Sequence, residues 1–226
     1  MPERPLGQPD YECFGGPRFF LVDIDNFPWM LGAWVPGNGP IRFPDEMGIR
    51  FRARSRLVIQ VHYSGGDGKE SDQTEVGLYF SKHPSPRPVF ISGLEEKSFV
   101  IPAGESKHKI VTQMTLDVPV GIRILGYLPH MPLIGREIRA DKIAPDGTRT
   151  PLIYIDDWDF NWQDSYMVRD KVVWRQGETV RMEALYDNSS ANRFNPNRDS
   201  PKEVRNGEKT TDEMCVIVFF VTLDLP

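Results

Sequence analysis

Thr179-Val180-Arg181-Met182-Glu183-Ala184-Leu185-Tyr186 alternates polar and apolar residues. That period of two belongs to a strand with one buried face. Upstream, Glu137-Ile138-Arg139-Ala140-Asp141 repeats the alternation and precedes the turn Pro145-Asp146-Gly147. Leu152-Ile153-Tyr154-Ile155 follows that turn. Lys109 to Thr112 and Val120 to Leu128 are further strand candidates, and Cys215 through Leu223 is a nearly continuous apolar strand. Nearer the N-terminus, Phe19-Phe20-Leu21-Val22 is one apolar run. Leu57 to Tyr63 reads as a strong strand, bounded by the turn cluster Ser64 to Gly68, with Val76 to Phe80 as the return strand of a hairpin. No helical period is sustained over three turns. The 20 prolines and 19 glycines punctuate short runs, the spacing of an all-β sandwich or jelly roll.

The 226 residues suffice for one large β-domain or two small ones. His83-Pro84-Ser85-Pro86-Arg87-Pro88 carries three prolines in five residues and has no place in a central strand. A domain boundary is expected there, dividing the chain into 1–88 and 89–226, with the connector semi-rigid. Net charge is −5 and no basic patch stands out, which argues against nucleic-acid binding. No apolar stretch reaches the length of a membrane span. Met1-Pro2-Glu3-Arg4-Pro5 has no signal-peptide pattern, so the expectation is either a cytosolic protein or a leader outside this sequence. Two cysteines, Cys13 and Cys215, make no disulfide framework and are expected as free thiols.

Six motifs occur in one order: Gln60-Val61-His62-Tyr63, Ile101-Pro102-Ala103-Gly104, Pro129-His130-Met131, Trp158-Asp159-Phe160-Asn161-Trp162-Gln163, Tyr186-Asp187-Asn188-Ser189 and Asp212-Glu213-Met214-Cys215. Together they resemble the copper type II, ascorbate-dependent monooxygenase family, and the Trp-Asp-Phe-Asn-Trp-Gln and Tyr-Asp-Asn-Ser segments look most like its bacterial members. The resemblance implies two antiparallel jelly-roll sandwiches, each holding one copper across a cleft, with the N-terminal one incomplete here. It implies a three-histidine electron-transfer copper and a His/Met copper where O2 is activated, with ascorbate as reductant. It further implies a periplasmic or extracellular setting.

Residue by residue, His62 matches the third ligand of the electron-transfer copper, but no His-His pair precedes it. His130 matches the first histidine of the family's His-x-His, with Pro132 in place of the second. Met214 matches the methionine ligand, and His108 looks like a histidine that recurs in bacterial members. The expected metal set is therefore His108, His130 and Met214, with His62 as a remnant. Imidazole and thioether donors together suit Cu(I). On strand parity His130 shares a face with Leu128, Ile124 and Ile122. Two functions follow: a copper monooxygenase-like oxidoreductase, or a non-catalytic sandwich serving as scaffold or subunit. A third reading is a fragment, with a partner chain supplying what the incomplete N-terminal sandwich lacks.

Ordinary structural roles account for the remaining singled-out residues. Met131 reads as packing, His83 as solvated and Asp156, Asp157 and Asp159 as a charged turn. Trp158, Phe160 and Trp162 read as core aromatics on one side of an extended segment. Cys215 reads as an inert buried thiol. The family resemblance places its disulfide partner where Ala184 stands, which implies that bridge is lost. Glu213 is a candidate for orienting a metal-binding histidine. Asp187 to Gly207 reads as a long loop, functional or mobile.

Overall fold

A computed structural model describes residues 30–51, 53–54, 57–63, 69–83, 87–209 and 211–225. Its strands are β1 (Met47–Gly48), β2 (Arg87–Pro88), β3 (Phe90–Glu96), β4 (Val100–Ile101), β5 (His108–Thr115), β6 (Ile122–His130), β7 (Gly135–Ile143), β8 (Arg149–Ile155), β9 (Tyr166–Trp174), β10 (Thr179–Tyr186), β11 (Val204–Arg205) and β12 (Cys215–Leu223). Two four-stranded antiparallel sheets, ordered β5-β10-β7-β8 and β3-β12-β6-β9, face each other as a sandwich. The all-β, antiparallel expectation holds. No helix among the described residues is long and apolar enough to cross a membrane.

The alternation of β10 becomes the packing of the first sheet. Val180, Met182, Ala184 and Tyr186 are buried between the sheets. Cys215, Ile217 and Phe219 of β12 meet them from the other side. The other face of the β3-β12-β6-β9 sheet is covered too, which explains why β12 is apolar throughout. Leu125, Leu128 and Phe220 pack there against Met47 and Val89, with Val35, Ile41 and Phe43 partly buried over them. Phe43 meets Phe220 edge-on, ring centroids 5.6 Å apart.

A bulge in β6 corrects the parity read from sequence. Val221 pairs with Ile124 but Phe220 pairs with Gly126, so Leu125 is an extra residue. One inserted residue exchanges the faces of everything beyond it. Ile124 and Tyr127 point into the sandwich, whereas Leu125 and Leu128 point to the outward face. Ile124 and Leu128 therefore do not share a face. Glycine is needed at the kink: a Cβ on Gly126 would lie 2.8 Å from Met167 Sδ and 3.0 Å from the Tyr166 carbonyl oxygen.

Other expectations change in detail. Leu57–Tyr63 and Val76–Phe80 form no strands, so the expected hairpin is not formed among the described residues. Both segments leave Val58, Tyr63, Tyr79 and Phe80 exposed, with no sheet face beneath them to reward pairing. The turn cluster between them, Phe19–Val22 and Cys13 lie outside the described residues. Arg87–Pro88, expected as connector, makes a parallel bridge to β1. The Trp158–Trp162 stretch turns at Phe160-Asn161, so Trp158 is buried while Trp162 is 71% exposed. The Asx turn is as expected, with the Ser189 N–H donating to Asp187 Oδ1 at 2.9 Å. The following loop is held by buried asparagines. Asn188 Nδ2 donates to the carbonyls of Pro102 (2.9 Å) and Lys202 (2.7 Å), and Asn195 Nδ2 donates to Asn188 Oδ1 at 3.0 Å.

Candidate metal centre

His130 is the last residue of β6 and pairs with Val216 of β12. With Leu128 and Val218 on the outward face, His130 and Val216 fall on that same face. Met214 precedes β12 by one residue. Cys215 and Ile217 point into the core, so alternation carries Met214 to the outward side with Val216. Two of the three expected donors thus occupy one face of adjacent strands.

His108 opens β5 in the opposite sheet, paired with the buried Tyr186. Parity turns it toward the inter-sheet space, next to Tyr186 and Ile110. Sheets pack about 10 Å apart, and the β6–β12 backbone lies between that space and the outward face. His83 is exposed, as expected. His62 lies elsewhere than its chain position suggests: its Nε2 is 3.9 Å from Glu208 Oε2, in the turn that leads to Met214.

The His130 imidazole is fixed by Gln163. Nδ1 and Gln163 Oε1 are 2.6 Å apart, and Gln163 Nε2 donates to the Phe160 carbonyl at 2.7 Å. With its amide nitrogen so engaged, Gln163 presents its oxygen to the ring, so His130 donates from Nδ1 and Nε2 keeps its lone pair. Burial lowers the His130 pKa below the ordinary histidine value, and the His62 ring adds to this, against the opposing bond to Gln163. The ring is neutral at pH 7. A neutral imidazole, oriented through its second nitrogen by a fixed acceptor, is the form that binds metal. Gln163 is itself buried, and its backbone N–H donates to the Pro36 carbonyl. The segment over the outward face therefore helps hold the histidine's partner.

In the sequence Gln163 is only the last residue of Trp158-Asp159-Phe160-Asn161-Trp162-Gln163. No local pattern showed that it reaches His130, 33 residues away. Glu213, the expected orienting residue, does something else. Its Oε1 accepts the Ile134 N–H at 2.9 Å, and its Oε2 is buried without a partner. Burial, aided by Asp212, pushes its pKa up to about 8 despite opposing backbone bonds. Tyr186 Oη donates to the Met214 carbonyl at 2.8 Å. Glu213 and Tyr186 thus fix the main chain on both sides of the Met214 side chain. Met131 is packing, as expected: it is fully buried, and a Cβ on Gly135 would stand 2.8 Å from its Cβ. The Cys215 thiol is buried and free, pushed up to about 12 chiefly by burial.

The copper fit is tested by these donors. The chemistry at His130 Nε2 and Met214 Sδ suits Cu(I). Among the described residues, no three His, Cys, Asp or Glu side chains lie close enough to hold a metal by themselves. Any site here needs the thioether.

Residues 89–224 match the family model described as copper type II ascorbate-dependent monooxygenase, C-terminal domain. The human protein named DBH-like monooxygenase protein 1 is 23% identical over 83% of this chain and 32% of its own length. Human putative DBH-like monooxygenase protein 2 is 25% identical over 92% of this chain and 42% of its own length. Tyramine beta-hydroxylase of Caenorhabditis briggsae is 23% identical over 83% of the chain and 33% of its own length. The chain thus spans less than half the length of each of these relatives.

Proposed function

Because the chain belongs to the copper type II ascorbate-dependent monooxygenase family, we propose that it is a copper-binding, monooxygenase-like oxidoreductase domain. Its metal position is the outward face of the β3-β12-β6-β9 sheet, at His130 and Met214. The observation that carries this reading is the 2.6 Å contact between His130 Nδ1 and Gln163 Oε1 on a mostly buried ring. It prepares Nε2 as a donor on the same face as Met214. Copper bound there would supply one-electron redox chemistry and a binding position for O2. The protein's share is to hold the His130 proton at Nδ1, keep the ring neutral and fix the Met214 backbone through Tyr186. Reduction by an external donor such as ascorbate, by analogy with the family, is part of the proposal. So is a periplasmic or extracellular setting, by analogy with the family.

Loading the protein with Cu(I) and measuring bound copper by elemental analysis tests this. About one equivalent is expected, and Met214→Ala should abolish it. Gln163→Ala, which frees the ring, should weaken Cu(I) binding by about 10- to 100-fold while the circular dichroism spectrum stays that of a β-protein.

A second reading, the non-catalytic scaffold, is favoured by Pro132 at the position of a ligand and by the placement of His108 across the sandwich. In it, residues 1–88 are the remnant of a first sandwich, and a partner chain covers exposed groups such as Tyr79 and Phe80. Copper no higher than in a metal-free β-protein control would leave this reading standing.

A further inference from the structure

We propose that a cleft on the β6–β9 side of the sandwich binds a small organic carboxylate with an apolar body, held by Arg42 and Arg123. The cleft begins in the ladder. Ile124 pairs with Val172 and Gly126 with Met167, so one residue of β6, Leu125, stands opposite residues 168–171 of β9. Four residues cannot keep register with one, and the pairing is interrupted there. The interruption adjoins a cleft of about 300 Å³ between the segment Arg42-Phe43-Pro44 and strands β6 and β9. Phe43, Leu125, Met167 and Val168 give it apolar walls. That volume is at the small end of ligand sites, with room for about ten non-hydrogen atoms.

Charge decides what fits. Ile122 and Ile124 face the sandwich interior, so Arg123 between them turns to the outward face, where the segment around Phe43 packs. Arg123 is half-buried. Neither its guanidinium nor that of Arg42 has an ion pair among the described residues, whereas Arg139, Arg149, Arg181 and Arg205 each reach a carboxylate. A half-buried guanidinium has lost part of its water and gains most from a partner. A carboxylate meets it with two parallel N–H···O bonds. Among the described residues the one carboxylate in the lining is Asp170, which is 85% exposed and 3.8 Å from Arg169, so the cleft keeps an excess of positive charge. Apolar walls beside two unpaired arginines match a ligand anionic at one end and apolar at the other. The metal position is separate: Arg123 precedes His130 on β6 by about 20 Å of strand.

The test uses the whole chain, metal-free, titrated with phenylacetate while backbone amide resonances are followed by NMR. Saturable shifts are expected at Leu125, Gly126 and Val168, with His130 unmoved. Phenylacetamide, the same body without the charge, should bind about tenfold or more weakly. Acetate, the charge without the body, should not saturate. Arg123→Gln should weaken phenylacetate binding about tenfold and Arg42→Gln by a few fold, with melting temperatures within a few degrees of wild type. Arg42 is exposed, so its variant reads the site even if Arg123→Gln loosens the fold. Phenylacetamide binding as tightly as phenylacetate would leave only an apolar crevice and overturn the carboxylate assignment. Shifts centred on His130, affinity unchanged in both arginine variants, or no saturable shift at all would overturn the site.

Discussion

Raising the pH from about 4.5 to about 8 should destabilise the metal-free protein by about 5 kcal/mol relative to Glu213→Gln, on top of the opposite change from His130 that both proteins share. The Glu213 carboxyl is fully buried, and its pKa is pushed up to about 8, chiefly by desolvation. In the unfolded chain it titrates near 4.5. Below pH 4.5 both states carry the proton, and the group makes no difference. Between 4.5 and 8 the folded state keeps a proton that the unfolded state has released. The unfolded state then binds fewer protons, and stability falls as pH rises. Above 8 both are ionised and the loss is complete. The orphaned Oε2 agrees with this sign, because a neutral acid tolerates the lack of a partner better than a carboxylate does. Glutamine keeps an oxygen for the Ile134 N–H and carries no charge at any pH. Urea unfolding at a series of pH values, wild type against Glu213→Gln, reads the difference directly. Parallel curves for the two proteins across this window would sink the assignment.

Where the chain's chemistry is local, the sequence shows it. The β10 and β12 strands coincide with the stretches Thr179–Tyr186 and Cys215–Leu223 read from alternation and apolarity. The buried Met131, the inert Cys215 and the Asx turn at Asp187 were also legible, because each depends on neighbours a few residues away. What failed depends on distant partners. The Leu125 bulge is a property of how β6 meets β12, and within Val120–Leu128 only Gly126, a glycine inside the run, hints at it. Leu57–Tyr63 has strand composition but no sheet to join, and a strand is defined by its partner. His130, Met214 and His108 were expected around one metal, and the ladder registers place His108 on the other sheet. Gln163 meets His130 from 33 residues away, and His62 meets Glu208 from the far part of the chain. The candidate donors were readable as residue types, whereas their grouping was a matter of topology.

Asn188 should prove among the least replaceable polar residues, with Asn188→Ala costing about 2–4 kcal/mol and Asn188→Asp more. Its side chain is fully buried and uses both ends of the amide. Nδ2 donates to the Pro102 and Lys202 carbonyls, and Oδ1 accepts from Asn195. The backbone of the same residue bonds Gly104 and Glu105. One asparagine therefore ties the turn after β4 to both ends of the long loop that follows β10. Alanine removes three hydrogen bonds at once, those to the Pro102 and Lys202 carbonyls and that from the Asn195 amide, each worth about 0.5–1.5 kcal/mol. Aspartate keeps the shape but turns a negative charge toward carbonyl oxygens, which reverses the interaction instead of merely deleting it. It also makes a distinctive signature: Asn188→Asp should regain stability as pH falls and the carboxyl takes up a proton. Hydrogen exchange gives the local readout. The amides of Gly104 and Asn188 should exchange much faster in both variants, while those of the central β10 residues stay protected if only the loop opens. A buried amide anchoring a loop at both ends accounts for how an Asn- and Ser-rich stretch holds one conformation without an apolar core of its own. An Asn188→Asp variant within 0.5 kcal/mol of wild type at neutral pH, with those amides still slow, would show that the loop is held by other contacts.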